Sequence, residues 1–423
     1  MVPDFALQRC KFLMGSPASD TPALRTGEFV PLIALLISLG ALAIDGMLPA
    51  LPAIGEDLGV VNRNDVQFVI AAVFLGLAVG QFFFGPLSDR AGRKPAIHVG
   101  LILFMAGSLM SVFARTFEVM MVGRVLQGIG VAGPRVVTMA LVRDQYEGRQ
   151  MARLMSFATS LFILVPTIAP ALGQGIQWLA GWRAIFASFF GIAVVAFVWF
   201  AIRQPETLPA ARRRPMSLSA VGSGAVEVLK IRSALGYTLA TGLLFTPFLA
   251  YISAAQQIYQ DVYDTGALFP FYFGSLALVI ACMSFVNGRL VLKYGMRRLS
   301  RTAIIAFTIA AAAAWALTVA LDGVPPFWLF MTYQLCIFVW AGLLFGNLSA
   351  LAMRPLGHIA GIGATVVTSL PTLVSMPFGA LVGYSFDGTL NSLTAAYAVC
   401  GAAAFATMLW AESGRSPQPD RVL

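Results

Sequence analysis

Three ionisable side chains lie within long apolar stretches of this sequence: Asp45, Arg124 and Arg135. A charge in hydrocarbon costs about 2.5–3.5 kcal/mol on insertion scales, so such residues are candidates for function. A carboxylate whose partner or access to water changes can take up and release a proton. Asp45 and Arg124 are therefore the candidate proton-coupling residues. A permanent structural ion pair between them is the alternative interpretation.

The predicted helices bring the carboxylate and the first guanidinium to similar depths. Asp45 lies near the end of the apolar segment 29–54, roughly 9–13 Å below the membrane surface at a helical rise of about 1.5 Å per residue. Arg124 lies near the start of the oppositely directed segment 117–142, at a depth of about 10 Å. The two side chains could therefore offset the desolvation of each other's charge.

Helical periodicity predicts polar stripes around these residues. At 100° per residue, Gln127 and Arg135 fall near the face of Arg124, and Ser38 shares a face with Asp45. We predict that these stripes line a water-filled substrate cavity. For Arg135 two interpretations stay open: binding of a polar or anionic substrate group, and extension of the side chain towards the interface.

The second half of the chain has no acidic residue well inside an apolar segment. Proton coupling is therefore assigned to the first half. The polar residues Gln256, Gln257, Asn287 and Asn347 could line the substrate cavity in the second half. Polar side chains that hydrogen-bond neighbouring helices together give the same pattern.

The composition places these residues in a membrane protein. Of the 423 residues, 58% are hydrophobic and 11% are charged, and the mean hydropathy is +0.81. Apolar segments of about 20–26 residues, long enough for a hydrocarbon core of roughly 30 Å, recur along the chain. Their positions are 29–54, 66–87, 96–114, 117–142, 154–179, 183–202, 233–258, 268–292, 301–320, 326–352, 359–384 and 391–411. The sequence predicts an all-α polytopic membrane protein with twelve transmembrane helices.

The basic residues orient this chain in the membrane. Most of the 28 Lys and Arg residues fall on the face that carries both termini, whereas only Arg63, Arg115 and Arg183 fall on the other face. The positive-inside rule then places both termini in the cytoplasm. The net charge of +9 is explained by this asymmetry, so we expect no nucleic-acid partner. The four cysteines are far apart and predict neither disulfides nor a metal site.

A polar stretch divides the chain into two similar halves. The charged loop from Gly85 to Lys94 recurs in degraded form from Gly288 to Arg297, once in each half. A repeat of this kind predicts two six-helix bundles with a substrate site between them. The predicted organisation is an N-terminal tail 1–28, a bundle 29–202, a linker 203–232, a bundle 233–411 and a C-terminal tail 412–423.

Several of these motifs resemble one transporter family. The loop G-P-L-S-D-R-A-G-R-K, Gly85 to Lys94, resembles the loop 2–3 signature of the major facilitator superfamily. The run R-V-L-Q-G-I-G from Arg124 resembles the span-4 signature, and D-G-M-L-P-A-L-P from Asp45 resembles the span-1 signature of twelve-span drug–proton antiporters. The stretches L-P-A-L-P-A-I, L-V-R-D, G-W-R-A-I-F and G-N-L-S-A-L-A-M resemble the Bcr/CflA branch of multidrug efflux transporters.

One motif departs from this resemblance. The antiporter signature on span 5 has Gly-Pro followed by paired glycines, whereas this chain has A-P-A-L-G-Q from Ala169 to Gln174. The sequence argument for export over import is weaker for that helix.

The resemblance implies the major facilitator fold, with two pseudo-symmetric bundles. It also implies that Asp89, Arg93 and Asp144 form a charge cluster that holds the outward-open state. The residues to which it assigns conformational gating are Gly85, Asp89, Arg90, Gly92, Arg93, Lys94 and Asp144.

These observations predict a proton-coupled secondary active transporter that exports small drug-like or amphipathic compounds by alternating access. A proton-coupled importer of a small metabolite is the nearest rival. An enzyme is not expected, because no nucleophile with a partner base stands out, and no P-loop indicates ATP hydrolysis. A channel would need neither the charged loop nor the repeat. We expect a monomer in a bacterial inner membrane with substrate, protons and lipid as partners, and no cofactor beyond the proton gradient.

Overall fold

The structure, a computed structural model, describes residues 26–146, 148–213 and 218–413, and within these ranges every regular element is helical. The predicted terminal tails, including Cys10, lie almost entirely outside the described residues.

In the described part of the chain, the first half forms seven α-helices. They are α1 Thr26–Asp45, α2 Leu51–Asp57, α3 Phe68–Ala91, α4 Arg93–Val112, α5 Phe117–Gln145, α6 Gly148–Ala180 and α7 Trp182–Arg203. The second half also forms seven. They are α8 Leu218–Lys230, α9 Arg232–Gln256, α10 Phe269–Tyr294, α11 Met296–Ala320, α12 Phe327–Met353, α13 Ala360–Tyr384 and α14 Asn391–Glu412.

These helices confirm the predicted fold class. In the described part of the chain, eleven helical segments are long and apolar enough to cross a membrane, with α1 and α2 forming one segment, Gly27–Asp57. The helix α6 has 33 residues and lies at the remaining predicted position. The predicted linker 203–232 contains a short helix, α8, which the sequence analysis did not anticipate. The predicted domain boundaries stay predictions.

The helices pack into two bundles that meet along two pairs of helices. In the first bundle α5 packs against α3 and α4, and in the second α9 packs against α13 and α14. The bundles meet where α3 contacts α13 and where α6 contacts α10. We call the side that carries the linker and the α3–α4 turn the linker face, and the opposite side the distal face.

The two bundles are joined at the distal face. The side-chain hydrogen bonds there connect the segment between α2 and α3 with the ends of α9 and α13. They run from Arg63 to Asp261, from Asn62 and Asn64 to Tyr384, from Asn64 to Phe386, and between Gln257 and both Gln67 and Asn64. Among described residues, one other such bond joins the bundles, from Ser369 to Gln81. This conformation is therefore closed at the distal face.

Candidate functional site

The first membrane segment is broken at Asp45. The helix α1 ends at this residue, and the chain continues through a turn and a 3-10 turn at Leu48–Ala50 into α2. Pro49 has no N–H to donate to the carbonyl of Asp45, four residues earlier, and its ring crowds that carbonyl. The predicted membrane segment 29–54 is present, within Gly27–Asp57, but its helix is interrupted, so that Asp45 lies at a helix terminus.

Arg124 binds to the end of α1. Its Nη2 donates to the carbonyl of Ala43 at 2.7 Å, and its Nε donates to the carbonyl of Val69 at 3.1 Å. The last carbonyls of a helix lack intrahelical donors and carry the negative end of its dipole, so they are good acceptors for a cation. The Arg124 side chain is fully buried and packs 5.4 Å from the ring centroid of Phe186.

A polar network fixes this guanidinium within the first bundle. Nη1 of Arg124 donates to Oε1 of Gln127 at 2.6 Å, and Nε2 of Gln127 donates to Oγ of Ser108 at 2.7 Å. Gln127 and Ser108 have no exposed surface. In this conformation the Gln127 amide is used between α4 and α5, and its place in a water-filled cavity stays a prediction.

The predicted pairing of Asp45 with Arg124 is not formed in this conformation. The guanidinium donates to backbone carbonyls and to Gln127, because the helix break presents acceptors that a continuous helix would not. Among described residues, no hydrogen bond or ion pair reaches Asp45, although this residue is only 6% exposed. The turn Leu48–Ala50 that follows it contacts α9, so Asp45 lies close to the bundle interface. Ser38, on the same helix, is also buried.

Arg135 has a different environment from Arg124. Its side chain is exposed although it lies inside α5, and none of the described residues forms a hydrogen bond or ion pair with it. This exposure agrees with the predicted cavity lining.

The predicted polar residues of the second bundle are engaged with protein groups. Asn347 and Asn287 exchange amide hydrogen bonds of 2.8 and 3.0 Å between α12 and α10. Gln257 belongs to the distal closure, and Gln256 donates to Gln260 at 2.8 Å beside it. In this conformation Asn347 joins helices, and the two glutamines lie at the distal face. Their roles as substrate ligands stay predictions.

The charged cluster implied by the resemblance is assembled at the linker face. Nη1 of Arg93 donates to Asp89 at 2.5 Å, and Nε donates to Asp144 at 2.9 Å. Gly92 makes the turn between α3 and α4 with a φ of 110°, a conformation that favours glycine. All these residues belong to the first bundle. The cluster is complete although the distal face is closed, so its formation does not require the state that is open there.

The other predicted gating residues surround this turn. Nζ of Lys94 donates to the carbonyl of Ala201 at 2.6 Å, whereas Arg90 is exposed. Gly85 faces Thr365 of α13, and a Cβ at this glycine would lie 3.2 Å from the Thr365 hydroxyl. Gly85 is therefore the member of the predicted set that approaches the other bundle.

Sequence analysis missed a carboxylate in this cluster. Glu206, at the start of the linker, accepts from the backbone N–H groups of Arg93 at 2.9 Å and Lys94 at 3.1 Å. These groups begin α4 and have no intrahelical acceptor. Thr207 adds a 3.3 Å hydrogen bond to Asp144. The only sequence signal was one acidic residue in a stretch typical of a solvated linker.

The family model and the similar proteins all point to one family of transporters. Residues 33–376 match the family model of the Major Facilitator Superfamily. The chain is 31% identical to the MFS-type transporter YdgK of Bacillus subtilis, over 83% of this chain and 87% of that protein. It is 30% identical to a bicyclomycin resistance protein homolog of Haemophilus influenzae, over 84% of this chain and 88% of that protein. It is 28% identical to a chloramphenicol resistance protein of Pseudomonas aeruginosa, over 79% and 81%.

Solved structures share the fold. The human organic anion transporter MFSD10 superposes with a TM-score of 0.71 at 16% identity, covering 92% of this chain and all of that chain. The xylose transporter XylE of E. coli superposes with a TM-score of 0.68 at 15% identity, covering 92% and 100%. The architecture, the signature turn and the family match lead to one assignment: this chain belongs to the major facilitator superfamily.

Proposed function

We propose that this protein is a proton-coupled secondary active transporter that exports small drug-like or amphipathic compounds. The resistance-named relatives support export, and the loop signature and the closed face support transport by alternating access. The chain is similar over most of its length to proteins named for resistance to bicyclomycin and chloramphenicol. It carries the loop signature at Gly85 to Lys94. Its two bundles are closed at one face, as one state of an alternating-access cycle requires.

The position of Asp45 carries the proton-coupling part of this proposal. An ionised carboxylate buried at the bundle interface without a donor loses its hydration without compensation, and proton uptake removes that cost. When the bundles rock and the site opens to water, the same carboxyl can ionise again. A proton therefore binds or leaves according to which face is open.

Arg124 has a positioning role in this scheme. It holds the carbonyl end of α1 two residues before Asp45. The guanidinium thereby fixes where the carboxyl lies relative to α9, without pairing with it in this conformation. We propose that a change in the proton state of Asp45 acts on the contact between bundles through this fixed helix end.

The orientation follows from the basic residues. We propose that the linker face is cytoplasmic and the distal face periplasmic, in a bacterial inner membrane, because the positively charged loops lie on the linker face. A monomer contains both bundles, and the transport cycle needs only substrate, protons and lipid. We propose no enzymatic activity and no cofactor.

Everted membrane vesicles test direction and coupling together. With an acidified lumen, the wild-type protein should accumulate labelled chloramphenicol or bicyclomycin, whereas a proton symporter would not accumulate either. Asp45→Asn should abolish accumulation driven by the pH gradient and keep substrate binding. Asp264→Asn is the matched control, because Asp264 is exposed in a distal loop and has a φ of 47°, which asparagine tolerates. Gradient-driven accumulation by the Asp45→Asn variant would refute the assignment.

A further inference from the structure

Resting on the function proposed above, we infer that Arg135 gives the cavity a preference, among substrates of similar shape, for those with an anionic group such as a carboxylate, phosphonate or sulfonate. The cavity would then favour amphipathic anions over amphipathic cations. The inference concerns the charge of the substrate, which the proposed function leaves open.

Arg135 has no hydrogen-bond or ion-pair partner in the part of the chain that the structure describes. A guanidinium stays protonated in proteins and offers five N–H donors. The N–H groups of Arg124 donate to two backbone carbonyls and the Gln127 amide. The N–H groups of Arg93 donate to two carboxylates and Ser88. The donors of Arg135 have no acceptor among the described residues. Its five donors are therefore available to a ligand.

The depth of Arg135 argues against extension of its side chain to the interface. The cluster of Arg93 with Asp144 marks the linker-face surface of the first bundle. Arg135 precedes Asp144 by nine residues on the same helix, and this separation is about 13 Å at a rise of 1.5 Å per residue. Met139, one turn towards that surface, is also exposed. The exposed stripe therefore continues from the surface into the protein, as a cavity wall would.

Within the described ranges, no acidic side chain pairs with this charge at its depth. Asp45 lies at the level of Arg124, and Arg124 and Arg135 are eleven residues apart, or about 16 Å along the helix. The membrane segments of the second half carry acidic residues only near their ends. A cationic substrate would meet an unscreened positive charge near Arg135, whereas an anionic group would gain a bidentate, charge-assisted contact.

Binding of a matched pair of compounds tests this inference. Indole-3-propionate and indole-3-propionamide share one apolar body and differ in charge. We expect purified wild-type protein in nanodiscs to bind the carboxylate about ten-fold or more tightly than the amide, as a charge-assisted contact allows. Arg135→Gln should abolish this preference, chiefly by weakening binding of the carboxylate. Arg135→Lys should retain part of the preference, because a lysine keeps the charge but not the planar fork.

Arg143→Gln is the matched control. Arg143 is exposed on the same helix, two turns closer to the linker face, and its loss should leave the preference intact. Equal binding of the two probes by the wild-type protein, or a preference that survives Arg135→Gln, would overturn the inference. Either result would leave the proposed function standing if the vesicles still accumulate substrate. Loss of all accumulation in wild-type vesicles would instead refute the proposed function.

Discussion

A single methyl group added to α6 should disturb the proton site. Gly173 lies where α6 crosses the break in the first membrane segment, directly against Gly46. An ideal Cβ at position 173 would overlap the carbonyl oxygen of Gly46 and lie 2.7 Å from its carbonyl carbon. Both atoms belong to the backbone, so no flexible side chain can move aside. In Gly173→Ala, one of the two segments must shift.

The size of the effect follows from this geometry. Overpacking a well-packed site costs about 1–3 kcal/mol, which corresponds to a factor of about 5–150 in an equilibrium. Gly46 follows Asp45 directly, so the displacement acts on the residue that carries the proton in our proposal. We expect gradient-driven accumulation in everted vesicles to fall about ten-fold or more, while the protein still inserts and folds.

Gly175→Ala is the control, because a Cβ at Gly175 would have no neighbour within 4 Å. Both variants place the better helix former in α6, so intrinsic helix propensity cancels between them. Vesicle accumulation and thermal unfolding in detergent would be compared for the two variants and the wild type. Equal transport by the two variants would refute the argument that close backbone contact at Gly173 positions the proton site.

Two further predictions concern the faces of the protein. Glu206→Gln should weaken the hydrogen bonds from the backbone N–H groups of Arg93 and Lys94. Hydrogen bonds to a charged acceptor contribute about 1.5–3 kcal/mol. A cysteine placed at the linker face should therefore react faster with a thiol reagent. Unchanged reactivity would contradict a role in holding the turn. Arg63→Glu should make a cysteine placed at the distal face react faster with a membrane-impermeant thiol reagent. The rate should rise by about five-fold or less, because exposed ion pairs contribute about 0–1 kcal/mol. Adding Asp261→Arg should restore closure, and failure of this charge swap would contradict the pair's role.

The sequence predicted the helices well and the contacts of Asp45 poorly, for a physical reason. Membrane segments need about 20 apolar residues, and this one-dimensional signal is strong. The depth match between Asp45 and Arg124 was correct, because Arg124 reaches the end of α1. The pairing itself is not formed in this conformation, because the helix ends at Asp45 and exposes carbonyls that accept from the guanidinium. A proline four residues after the acid was the available signal.

Contacts between the bundles could not be predicted from periodicity. Gln257 has the same residue type and apolar context as a cavity ligand, yet it joins the distal closure because of where α9 ends. Asn347 satisfies its amide with Asn287 on a neighbouring helix. Such pairings depend on which faces of two distant segments meet. A single sequence without its tertiary arrangement does not contain that information.

The break in the first segment gives the proposed coupling a mechanical route. Arg124 anchors the carbonyl end of α1 to the first bundle, and Gly173 of α6 packs against the residue that follows Asp45. The turn that follows Asp45 contacts α9 of the second bundle. A residue that is fixed on one bundle and lies close to the contact with the other experiences relative motion between them as a change in its surroundings. A direct pair with Arg124 would instead keep both charges within the first bundle, where rocking would change little.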